Sequence, residues 1–74
     1  MKSTLKNSAY PHYNRERYDL ENGSSFVLYA EHVFYGFQQG ALLTFYQNPN
    51  GQWYGDWNQG VEVKLLDRDG KIIQ

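Results

Sequence analysis

The side chains that could do chemistry in this chain are few, and their spacing does not assemble a reaction centre. His12 and His32 stand twenty residues apart with no ligand-spaced companion, so neither a zinc site nor another transition-metal site is expected. His32 follows Glu31 and reads as an edge or surface histidine that can pair with it. There is no cysteine, which removes disulfides, thiolate ligands and thiol nucleophiles together. No glycine-rich phosphate loop is present. Asp67-x-Asp69-Gly70 shares the start of a calcium loop but lacks its further carboxylates, and it reads as a hairpin turn. Asp56, between Trp53, Tyr54 and Trp57, is the only carboxylate whose sequence neighbours could bury it for acid–base work. Strand alternation puts Asp56 on the face of Tyr54, opposite Trp53, Gly55 and Trp57, where water reaches it. The expectation is a protein with no catalytic residue, metal or cofactor.

Recognition has more support. In the stretch Gln52 to Gly60 a regular strand would set Trp53 and Trp57 on one face with Gly55 leaving a flat gap between them. Flat rings beside Asn, Gln and Asp side chains suit a protein interface or stacking on sugar rings. The core competes for the same two tryptophans, which leaves tyrosines as the better candidates for an exposed surface. The candidate binding residues are therefore Trp53, Tyr54, Asp56 and Trp57, with Tyr35 and Tyr46. A second candidate is basic: Lys2, Lys6, Arg15 and Arg17 lie among Tyr10, Tyr13 and Tyr18, and Arg15 and Arg17 are the candidate phosphate contacts of a nucleic-acid-binding arm.

The elements that must position these groups are short. Residues 1–18 carry a net charge of +3, residues 19–63 contain no Lys or Arg and carry −5, and the remainder carries +1. The aromatic-rich middle is thus the acidic part, and a phosphate backbone would be repelled there. Residues 1–9 are polar and aperiodic and read as a flexible arm preceding a single small domain over 10–74. Arg15 to Leu20 alternates weakly as a strand and ends at Asn22-Gly23, a strong turn signal. Ala41 to Gln47 is an apolar run closed by Asn48-Pro49-Asn50-Gly51, which has the chemistry of a bulged hairpin. Gln52 to Trp57, Val61 to Leu66 and Lys71 to Ile73 follow as strands, separated by Asn58-Gln59-Gly60 and Asp67-Arg68-Asp69-Gly70.

Residues 25–37 read two ways. Phe26, Tyr29, Ala30, Val33, Phe34 and Phe37 have the spacing of one helical face, whereas the density of β-branched and aromatic residues favours a long strand bent at Gly36. The strand reading is preferred. It makes the protein all-β, a small antiparallel meander curled into a five- or six-stranded sheet or barrel; the alternative is α+β, with one helix about 25–36 on a four-stranded meander. Seventy-four residues allow only a modest core, so few of the thirteen aromatic side chains can be left on a free surface unless a partner covers them. An identical second chain is the simplest such partner. The functional expectation is a non-enzymatic protein-interaction module, plausibly homodimeric, that uses exposed aromatics and an acidic sheet surface. The other two readings are a carbohydrate-binding module on Trp53–Asn58 and a nucleic-acid contact through the basic arm. No apolar run approaches a signal peptide or a membrane span, so a cytoplasmic location is expected.

Overall fold

The computed structural model describes residues 1–7, 9–28 and 35–74. All the regular elements among them are strands: β1 (Lys2–Thr4), β2 (Tyr10–His12), β3 (Arg15–Asp19), β4 (Ser25–Leu28), β5 (Leu42–Gln47), β6 (Trp53–Gly55) and β7 (Val61–Leu66). They form an antiparallel sheet in the order β1-β5-β6-β7-β4-β3-β2. The small all-β meander is as the sequence predicts, with seven strands instead of five or six. Two short meanders, β2-β3-β4 and β5-β6-β7, are joined where β4 pairs with β7, with Phe26 opposite Leu65 and Val27 opposite Lys64.

Where 25–37 read ambiguously, Ser25–Leu28 is strand, and all four of its residues are buried. A segment covered on both faces shows a continuous apolar run instead of alternation, which is why its period did not decide the matter. Residues 29–34, including Glu31 and His32, lie outside the described residues, and Tyr35 to Gln38 are not in a strand. Downstream, the predicted strand over Gln52 to Trp57 shortens to β6, and Lys71 to Ile73 contributes only an isolated bridge between Ile72 and Leu66.

The first residues are not a loose arm. Ser3 and Leu5 point inward, Leu5 with 0% exposure, while Lys2 and Lys6 are exposed. Leu5 sits where the two edges of the curled sheet meet. On one side its N–H donates to the Ala41 carbonyl and its own carbonyl accepts from Gly40, both at 2.8 Å. On the other side Lys6 donates to the Asp19 carbonyl and Glu21 donates to the Thr4 carbonyl, again at 2.8 Å. Composition hid this because only one large apolar side chain is needed to anchor a strand whose backbone bonds both neighbours.

Inside the curl, Leu5, Tyr18, Leu20, Phe26, Leu28, Leu43, Phe45, Val63 and Leu65 form the core. Phe26 is its centre: the Tyr18 ring stacks on it at 4.8 Å and 6°, and Phe45 and Trp57 tilt against it at 5.0 and 5.9 Å. Burial, followed by the neighbouring Glu16 carboxylate that accepts from its hydroxyl at 3.3 Å, pushes the Tyr18 phenol up to about 12. The fold therefore favours the neutral phenol. Its contribution is fully present below the ordinary tyrosine value of about 10 and is lost as pH rises from there through about 12. Unfolding midpoints are expected to fall more steeply across that window in the wild type than in Tyr18→Phe. Equal alkaline losses in the two proteins would contradict this assignment.

Candidate functional site

Alternation along β5 puts Leu43 and Phe45 in the core and leaves Leu42, Thr44 and Tyr46 on the outer face. Tyr46 is 43% exposed and Leu42 65%. Directly opposite Tyr46 on β6 lies Tyr54, and opposite Tyr54 on β7 lies Glu62. The two phenol rings stack at 5.6 Å and 15°. The Tyr54 hydroxyl donates to Gln52 Oε1 at 3.2 Å, and the Tyr46 hydroxyl rests so near Gly60 that a Cβ there would stand 2.6 Å from it. Two stacked aromatic rings thus stand on the outside of the sheet, at the edge of the acidic region. Asp56 is exposed in the bend after β6, and its N–H donates to the Thr44 carbonyl at 2.8 Å.

The tryptophans belong to the inside. Because β6 ends at Gly55, the chain turns and lays the Trp57 indole back over that glycine. Trp57 is surrounded by Phe26, Tyr35, Phe37 and Phe45, at centroid distances of 5.9, 5.7, 5.0 and 5.8 Å. Trp53 packs against the core opposite Val63. Among the described residues neither indole N–H finds an acceptor, so packing alone holds the two rings. Tyr35 goes with them, stacked on Phe37 at 5.4 Å and 16°. Of the six candidate binding residues, Tyr46 and Asp56 are exposed and Tyr54 is half-buried beside Tyr46, whereas Trp53, Trp57 and Tyr35, also half-buried, pack against the core. The flat platform expected from Trp53 and Trp57 depended on a strand continuing through Asp56, and the bend there removes it.

Arg15 and Arg17 lie on the outer face of β3, but not as part of an arm. Arg17 is 3.7 Å from the Asp19 carboxylate, which also accepts from the Tyr10 hydroxyl at 2.8 Å and from the Asn7 amide at 3.1 Å. Burial, with Asp19 beside it, raises the Tyr10 phenol above its ordinary value. Arg15 donates to the Leu28 carbonyl at 3.1 Å. Lys2 is placed on β1 against β5, so the cations that neighbour one another in sequence are dispersed by the fold.

Sequence reasoning missed a groove of about 350 Å³ on the outer face of β3, β4 and β7. Val27, Leu66, Arg15 and Lys64 line it, together with His12 at the end of β2 and Tyr13 in the β2–β3 turn. Tyr13 is 95% exposed, has φ of 58°, and meets His12 edge-on at 5.0 Å. No sequence pattern marked a tyrosine for a left-handed position. Among the described residues no three His, Asp or Glu side chains lie close enough to hold a metal ion. No family model matches the chain, and neither a curated protein nor a solved structure matches it.

Proposed function

We propose that the chain is a non-enzymatic protein-interaction module whose contact surface is the outer face of β5, β6 and β7, with Tyr46, Tyr54, Glu62 and Asp56 as its principal residues. The observation that carries this reading is the stacked Tyr46–Tyr54 pair. Both rings face away from a core that is filled by other side chains, and each stacks on the other, so less rotamer freedom is lost when a partner covers them than for isolated rings. Rigid tyrosines at the centre of a patch supply most of the binding energy at many protein interfaces, while flanking carboxylates select a basic or mixed partner surface. The carbohydrate reading has less support, because Trp57 packs against the core rings instead of lying flat beside Trp53.

The test is quantitative capture from native extract. The Tyr46→Ser/Tyr54→Ser protein is expected to retain at least about tenfold less of each specific partner than wild type, at roughly 1–2 kcal/mol per ring. Lys71→Ser, an exposed change outside the named contact residues, is expected to capture as wild type does. Equal capture by the double variant would refute the reading.

A further inference from the structure

The outer row of β5, β6 and β7 sets two kinds of recognition group side by side. Tyr46, Tyr54 and Glu62 are successive cross-strand partners, so Glu62 stands on the side of Tyr54 away from the ring that stacks on it. Asp56 is exposed in the bend that follows β6. Among the described residues neither carboxylate has an ion-pair or side-chain hydrogen-bond partner, and residues 19–63 contain no Lys or Arg that could supply one locally. Two lysines bracket the row: Lys64 lies two residues beyond Glu62 on β7, and Lys2 pairs with Thr44 on β5. They confine the negative field to the middle of the patch, which suits an isolated cation and disfavours a dense basic tract.

We infer that the partner of this face is an extended segment of another protein that presents an arginine, with an apolar side chain two residues further on. This rests on the reading of the Tyr46–Tyr54 face as an interaction surface and names the chemistry it takes. A planar guanidinium lies flat on a tyrosine ring while its fork bonds a carboxylate through two N–H groups, and here the ring and the carboxylate are neighbours in one row. The ammonium of a lysine answers the charge but not the plane. Glu62 and Tyr46 are two strands apart, roughly 10 Å, and an extended chain sends alternate side chains to one face at intervals of about 7 Å. Arginine can therefore reach Glu62 across Tyr54 while the next side chain on that face covers the exposed Tyr46 ring.

Amide NMR titration of the wild type with the peptide Gly-Ser-Arg-Ser-Leu-Ser-Gly, and with its lysine and citrulline counterparts, tests this. The arginine peptide is expected to bind with a Kd of about 1 mM or tighter and to shift the amides of Tyr46, Tyr54 and Glu62. The lysine peptide should bind at least roughly threefold more weakly, and the citrulline peptide, which keeps the shape without the charge, at least about tenfold. Glu62→Gln should lower the affinity for the arginine peptide about tenfold, and its own amide spectrum shows whether it folds. Should it fail to fold, Asp56→Asn must weaken binding, and so must added salt in the wild type. No binding by the arginine peptide, equal binding by the lysine or citrulline peptide, shifts confined to other residues, or wild-type affinity in a folded Glu62→Gln overturns the inference. If the arginine peptide fails while Tyr46→Ser/Tyr54→Ser still loses partners on capture, arginine is excluded and the interaction surface stands.

Discussion

Gly55→Ala is expected to cost about 3–5 kcal/mol, nearly as much as deleting a large buried ring, although it adds only one methyl group. A Cβ at Gly55 would stand 1.9 and 2.0 Å from Trp57 Cζ3 and Cη2, well inside any contact real atoms make. The φ at Gly55 is not in the left-handed region, so what the position requires is space, not backbone freedom. With the methyl in place the indole must leave, and Phe26, Tyr35, Phe37 and Phe45 lose the ring they share. Chains of this size have a total stability of roughly 4–11 kcal/mol, so a large fraction of it goes with that ring. Urea unfolding followed by tryptophan fluorescence checks this. The variant should show a lower midpoint and a red-shifted native spectrum, and an unchanged spectrum would mean that Trp57 does not need the vacant space.

Leu5→Ala should cost about 2–5 kcal/mol, whereas Lys6→Ala, one residue along and exposed, should stay within roughly 0.5 kcal/mol. Leu5 is fully buried at the point where the backbone bonds β5's approach on one side and the end of β3 on the other. The cavity left by its side chain cannot collapse easily, because the strands around it are fixed by those bonds. Hydrogen exchange gives a second readout: in Leu5→Ala the amides of Leu5, Lys6 and Glu21 should lose protection together. A fall in stability without that local loss would place the effect elsewhere in the core.

These two positions also show how far the sequence could be read. The hairpins were legible because their turns carry their own chemistry: Asn48-Pro49-Asn50-Gly51 closes β5 onto β6, and Asp67 to Gly70 ends β7, with the Gly51 and Gly70 amides donating to Asn48 and Asp67. Val61 to Leu66 matched residue for residue. Leu5 was illegible because strand β1 is short and polar and is defined by its two neighbours, not by any pattern of its own. Trp57 was placed on the correct side of the sheet for the wrong reason. Alternation puts it beside Trp53, but it arrives inside through a bend over Gly55. Tyr46 and Tyr54 could be proposed as outward-facing from period alone. Their stacking follows from the register of the β5–β6 hairpin, which its turn fixes, whereas the pairing of β4 with β7 joins strands distant in sequence whose register no turn sets.

One measurement bears most directly on the division between rings that hold the fold and rings that meet a partner: the unfolding free energy of Tyr46→Ser/Tyr54→Ser beside that of Phe26→Ala. The double variant should lose no more than about 1.5 kcal/mol, the worth of an exposed aromatic pair, while Phe26→Ala loses about 3–5 kcal/mol. If removing the two outer tyrosines destabilises the chain as much as emptying its centre, they are structural and the proposed contact face has no rings to spare.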